Sequence, residues 1–170
     1  MLLRTIKAIG FVFLLAAPMA AGAQMLPAPS GDVVLEVSGK VTTTTDGKAA
    51  KFDMAQLEAL GKTVIKTTTK WTQGQLTFEG VLMRDLLKRV GATGATEITA
   101  VALNDYKVKI PAADFDKFNV ILAYRRDGQP MPVRDKGPLW IMYPFDDNPE
   151  LKTDLYFARC AWQVKAIEVR

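Results

Sequence analysis

Two unbroken apolar runs, Val120 to Tyr124 and Leu139 to Tyr143, constrain this chain more than any other feature. Each is too short for an independent helix and is bounded by turn residues. Such runs read as strands buried on both faces, so other elements must cover them from two sides. The stretch joining them is dense in punctuation. Arg125 and Arg126 precede a turn signal, Asp127-Gly128. Pro130 and Pro132 limit extended pairing there, because proline has no N–H to give a ladder. A charged loop, Arg134-Asp135-Lys136, and a Gly137-Pro138 break lead into the second run. Pro144 closes it, and Asp146 and Asp147 follow. Charged and aromatic groups gathered at the ends of buried strands mark where a site is expected.

The rest of the chain reads as short strands with few helices. Val33 to Val37, Val41 to Thr45, Thr63 to Thr69, Glu97 to Leu103 and Tyr106 to Ile110 are strand-like, the last two joined by a turn at Asn104-Asp105. Asp46-Gly47 is a hairpin-type turn. Asp53 is placed to cap a short helix carrying Met54, Leu57 and Leu60 on one face, and Gly61 ends it. Trp71 to Phe78 reads as a loop with an edge strand. Gly80 then opens the best helix, Val81 to Val90, with Leu82, Leu86, Leu87 and Val90 apolar and Gly91 as its stop. Pro111 to Phe115 is expected to be a helical turn begun by the proline. The chain closes with Tyr156 to Val169, where Trp162, Val164 and Ile167 are expected to point inward. Many short strands with two short helices, not in regular alternation, predict an α+β domain built on a mixed sheet.

The first residues look like an address. Arg4 and Lys7 precede an apolar stretch from Ala8 to Ala20, and Ala21-Gly22-Ala23 is a small-residue cleavage site. The expectation is a signal peptide over 1–23, a flexible lead-in over 24–32, one domain over 33–170, and a periplasmic destination. The leader holds two of the 22 basic residues and none of the 18 acidic ones, so the remainder is close to neutral. That balance gives no case for nucleic acid. Cys160 is the only cysteine, which excludes an intramolecular disulfide, and there is no histidine. Imidazole-based triads and most zinc and copper sites are therefore excluded.

A set of pieces now falls in order. Trp71 is followed by Phe78-Glu79-Gly80-Val81 and Leu86-Leu87, then by Ala102 through Tyr106 and Ile110-Pro111. After these come Ile121 through Tyr124, Asp127-Gly128, Pro130-Met131, Gly137 through Pro144, Arg159, and Trp162 through Val169. In this order the chain resembles the oxidoreductase molybdopterin-binding domain, the fold of the sulfite oxidase family, in its small exported single-domain form. The resemblance implies a mixed-sheet α+β fold and makes molybdopterin the cofactor to consider. Catalytic members ligate molybdenum through one cysteine just upstream of the tryptophan; here that stretch is Thr67-Thr68-Thr69-Lys70. Histidines that help hold the pterin are missing, and Trp140 stands where an arginine is frequent. Threonine is no substitute for a soft thiolate.

Several residues are candidates for a site, each with a bland alternative. Cys160 reads as a relocated metal ligand or a small buried hydrophobe. Arg125, Arg126, Arg134 and Arg159 would bind an oxyanion if they converge, and are otherwise loop charges. Asn104, Asp105 and Tyr106 form either a hairpin turn or a polar tip facing a cleft. Trp71, Trp140, Tyr143 and Trp162 pack a core or line a pocket, and Trp162 is the one best explained by core packing. Asp146 and Asp147 are an acid–base pair or a capping loop. The reading taken forward is a degenerate accessory domain that lacks the molybdenum-ligating cysteine. It would bind a small anionic or pterin-like ligand, with no cofactor assigned outright. Its ligand face would comprise Asp105, Tyr106, Arg125, Trp140, Tyr143 and Arg159, and its partner would be a membrane-bound sensor or redox protein. The alternatives are an active molybdopterin-dependent oxidoreductase acting on a small oxyanion, and a ligand-free periplasmic interaction module.

Overall fold

The computed structural model describes residues 24–170. The expected signal segment, 1–23, lies outside the described residues. In chain order the elements are β1 (Gln24–Met25), β2 (Leu35–Gly39), β3 (Thr43–Thr44), β4 (Ala50–Phe52), α1 (Met54–Ala59), β5 (Thr63–Thr68), β6 (Gln75–Leu82) and α2 (Met83–Arg89). They continue with β7 (Glu97–Ala102), β8 (Lys107–Pro111), α3 (Ala113–Lys117), β9 (Ile121–Arg126), β10 (Gln129–Pro130), β11 (Trp140–Met142), α4 (Asp154–Arg159) and β12 (Val164–Val169).

Two main sheets carry the fold. One has the order β4-β2-β12-β7-β8, with β12 parallel to β2 and antiparallel to β7. The other has the order β10-β9-β6-β5, with β11 also paired to β9. The expected α+β, mixed-sheet fold is present. The two apolar runs form β9 and β11, paired Trp140 to Ala123 and Met142 to Ile121. Ile121 through Tyr124 and Leu139 through Tyr143 are all buried, which is why neither run alternates. Arg125 and Arg126 extend β9 by two residues, and Asp127 and Gly128, both at positive φ, make the two-residue turn to β10.

Four α-helices and two short 3-10 turns, Val133–Asp135 and Pro149–Leu151, are present among the described residues, where two helices were expected. Asp53 caps α1 as predicted: its Oδ1 accepts from Gln56 N at 2.8 Å, while Gln56 Oε1 accepts from Asp53 N at 3.1 Å. Oδ2 of the same carboxylate accepts from the N–H groups of Ser30 and Gly31, and Leu26 is buried, so residues 24–32 pack onto the domain.

Four details correct the sequence reading. Ala50–Phe52 is a strand at the edge of the first sheet, which the sequence reading did not include. Gly80 does not open a helix. It lies inside β6, a central strand, where a Cβ would stand 2.3 Å from the Leu122 carbonyl oxygen and 2.7 Å from Ala123 Cα. The glycine marks close approach of two backbones at a register shift. Pro111 ends β8, and the following helix starts at Ala113. The closing stretch is divided between a helix and a strand. Asp154–Arg159 is helical, Val164 and Ile167 are buried as expected, and Trp162 is 37% exposed in the link between them.

Candidate functional site

A cavity of about 380 Å³ opens where three links meet at the ends of strands. The β5–β6 loop supplies Lys70 and Trp71, and the β7–β8 turn supplies Asn104 and Tyr106. The C-terminal end of α4 and the link to β12 supply Phe157, Cys160 and Trp162. Local conformation aims these groups. Asp105 adopts positive φ at the turn, Asn104 Oδ1 accepts from Tyr106 N at 3.2 Å, and Lys165 Nζ donates to Asp105 at 2.8 Å. Tyr106 is thereby held half-exposed at the rim.

The walls are aromatic. All three tryptophans of the chain meet there. Trp71 lies 5.9 Å from Trp140 and 5.4 Å from Trp162 between ring centroids, and Phe157 stands edge-on to Trp71 at 5.7 Å. Tilted and edge-on contacts are the favoured geometries for such rings. Trp140 is fully buried behind the other two, with its indole N–H donating to the Cys160 carbonyl at 3.2 Å. Two lysines sit over these rings. Lys70 Nζ is 4.9 Å from the Phe157 centroid and 5.4 Å from Trp71, and Lys136 Nζ is 5.4 Å from Trp162. No Asp or Glu lines the cavity; Asp154, which pairs with Lys70 at 3.4 Å, lies outside it in solvent. The pocket therefore suits a flat ring system with negative charge or strong acceptors.

The six candidate residues do not form one face. Tyr106 lines the cavity, Asp105 lies beside it paired with Lys165, and Trp140 stands behind its wall. Tyr143 and Arg159 meet elsewhere, behind α4. Both donate to Asp114 Oδ2, from Tyr143 Oη at 2.6 Å and from Arg159 Nη1 at 2.7 Å. Burial, reinforced by the Asp114 carboxylate, pushes the Tyr143 phenol far above its ordinary range, so it remains a donor at every relevant pH. Arg125 is on the second sheet with Glu58 at 2.8 Å, and Arg126 pairs with Asp135 at 2.6 Å. The arginines do not converge. Adjacent side chains on a strand point to opposite faces, and Arg125, Arg126 and Arg159 each pair with a different carboxylate, while Arg134 has none within ion-pair distance among the described residues. Asp146 is a tie between loops. It accepts from Thr68 N at 2.8 Å, Thr68 Oγ1 at 2.6 Å, Gln75 Nε2 at 3.1 Å and Lys152 Nζ at 2.8 Å.

Lys70, Phe157 and Asp114 were not singled out from the sequence. The basic–aromatic pair Lys70-Trp71 was a usable signal. Phe157 and Asp114 had none, because α4 was not foreseen and an acid on a five-residue helix looks like surface.

The residues present do not fit a molybdenum centre. Cys160 is buried, with Sγ 3.6 Å from the Tyr156 carbonyl, and burial pushes its thiol up to about 12. At Thr67-Thr68 the hydroxyls are engaged: Thr67 Oγ1 accepts from Asp146 N at 3.2 Å, and Thr68 Oγ1 donates to the Asp146 carboxylate.

The mixed sheet and the antiparallel sheet beside it define a domain of the sulfite oxidase-like, molybdopterin-binding type. The chain belongs to the oxidoreductase molybdopterin binding domain family, whose profile matches residues 32–146. Of the solved structures, 28 chains match. One is the sulfane dehydrogenase SoxCD from Paracoccus pantotrophus, with a TM-score of 0.58 at 16% identity. The alignment covers 79% of this chain and only 37% of that one. No curated protein matches. The family match ends before α4 and Trp162, so part of the pocket wall comes from residues beyond it.

A second hollow, of about 390 Å³, lies between α2 and α3. Its one guanidinium, Arg84, is already committed to Asn119 Oδ1 at 2.9 Å and the Phe115 carbonyl at 3.4 Å.

Proposed function

We propose that this protein is an exported, metal-free binding domain that holds a pterin-like ligand, flat and anionic, and serves a membrane-bound sensor or redox partner. One observation carries the reading. The pocket keeps aromatic walls and one lining lysine, Lys70, with Lys136 against the Trp162 ring, while its single thiol is buried and the threonines at the expected ligand position are tied to Asp146. Such a site stacks a ring system and steadies an anionic substituent without a metal.

The test has two arms. The protein is purified from a host able to make molybdenum cofactor and analysed for molybdenum, then titrated with pterin-6-carboxylate. Because all three tryptophans adjoin the cavity, their fluorescence reports occupancy directly. The expected result is negligible molybdenum, saturable quenching, and loss of roughly tenfold or more in affinity for Trp71→Ala, the scale of a central aromatic contact. Near-stoichiometric molybdenum overturns the reading, as does absence of saturable quenching.

A further inference from the structure

We infer that the rim of this pocket is a docking surface for a second protein, one that presents an apolar side chain flanked by carboxylates. Four large apolar residues are exposed at or beside the rim: Leu103 (44%), Tyr106 (51%), Val133 (52%) and Trp162 (37%). Their segments are bound to one another. Gln163 O accepts from Leu103 N at 2.9 Å, Gln163 N donates to Lys136 O at 3.1 Å, and Gln163 Nε2 donates to Val133 O at 2.6 Å. The patch is thus one surface assembled from three links.

Its shape is fixed. Asp105, Lys136 and Gln163 are three of the four non-glycine residues at positive φ among those described, and all three lie in these links. Backbone of that kind costs about 1 kcal/mol or more per residue and persists where surroundings impose it, as at binding sites. Water-facing apolar side chains on an imposed scaffold point to a partner.

Charge selects the partner. Arg134 and Lys136 follow Val133 in the same link, and neither has a carboxylate within ion-pair distance among the described residues. The acids nearby are engaged: Asp105 with Lys165, Asp135 with Arg126, Asp154 with Lys70. The rim is therefore net basic. A second copy would set Arg134 and Lys136 against their own like, so a different, acidic partner fits better. This deepens the partner half of the proposed function and does not depend on the ligand half.

The test places the photo-crosslinker p-benzoylphenylalanine at Val133 or Leu103 of the full chain, expressed in its own host. Val64, exposed on the edge strand β5, is the control site. The expected result is one discrete adduct from the two rim positions and none from Val64. The cross-linked peptide carries Asp or Glu within a few residues of the reacted side chain. Adding Arg134→Glu, a residue outside the cavity, lowers the adduct at least threefold while the melting temperature holds. An adduct only with another copy of this chain, an equal adduct at Val64, no adduct, or no response to charge reversal each overturns the inference. None of these outcomes touches the pterin titration, so the two readings fail separately.

Discussion

Replacing Arg159 by methionine tests the packing behind the pocket wall most directly. Arg159 and Asp114 are 2.7 Å apart, with side chains only 15% and 10% exposed, the most sheltered ion pair described. Removing one partner of a fully buried pair costs about 3–5 kcal/mol. Here Asp114 keeps the Tyr143 hydroxyl at 2.6 Å, and neither charge is completely sealed, which lowers the expected loss to about 2–3 kcal/mol. Methionine retains the apolar stem volume, so the loss reports charge more than a cavity. For a chain of this length each kcal/mol moves the melting temperature by about 2–4 °C, giving a drop of about 5–10 °C. Urea denaturation at pH 7 measures the free energy, and a melting curve checks it. Both donors share Oδ2, so Tyr143→Phe and Arg159→Met are expected to couple by about 0.5–2 kcal/mol in a double-mutant cycle. The exposed pair Lys165–Asp105 is the control; Lys165→Met is expected to change stability by about 0.5 kcal/mol or less. A loss below about 0.5 kcal/mol for Arg159→Met, or strict additivity with Tyr143→Phe, would refute the reasoning.

Other expectations follow from the same contacts. Gly80→Ala sets a methyl against the backbone of Leu122 and Ala123, and denaturant titration should show a loss of about 3 kcal/mol or more. The hydrogen bond from Lys152, with those from Thr68, holds the Asp146 carboxyl well below the usual carboxylate range. Its contribution is fully present above the unfolded value, near pH 4, and is lost as pH falls through the lower folded value. Asp146→Asn should therefore be clearly less stable than wild type at pH 7, and the gap between their urea midpoints should close as the solution is acidified below pH 4. Cys160, a neutral thiol sealed from solvent, should react with iodoacetamide at pH 8 at least about 100-fold more slowly in the native protein than in urea.

How much of this was legible in the sequence depended on the kind of signal. Strands buried on both faces announce themselves as unbroken apolar runs, and β9 and β11 were found that way. Caps and two-residue turns are chemistry confined to a few residues, so the Asp53 cap and the Asp127-Gly128 turn were equally visible. Gly80 was misread because one glycine serves two purposes: it can precede a helix, or it can let two strands touch. Only tertiary structure distinguishes these. Helix α4 was hidden because Leu155-Tyr156-Phe157 has strand-like composition, and its six residues are too few for a helical period to show. The pocket was half visible for the same reason. Tyr106 and the tryptophans stand out by type, whereas Phe157 joins them only through α4. Trp162 was expected inside by its size, yet it bridges two elements at a rim, where an amphipathic ring is stable half-wet.

The contacts at the end of β5 show what holds one wall of the pocket in place. In catalytic relatives the resemblance places a cysteine in this stretch, where a metal–thiolate bond would join the strand end to the bound cofactor. Here Thr67 is fully buried and Thr68 is bonded twice to Asp146, once through its N–H and once through its hydroxyl. Lys152 and Gln75 complete the set around the same carboxylate, so one ionised group fixes β5, the start of β6 and the loop after Pro144. A charge that accepts four hydrogen bonds is a strong local constraint, because leaving any donor unpaired carries its own desolvation cost. Lys70 and Trp71 follow directly from that strand end, so the carboxylate acts on the pocket wall through two residues of backbone. One carboxylate thus anchors the strand end from which this wall of the aromatic cavity begins.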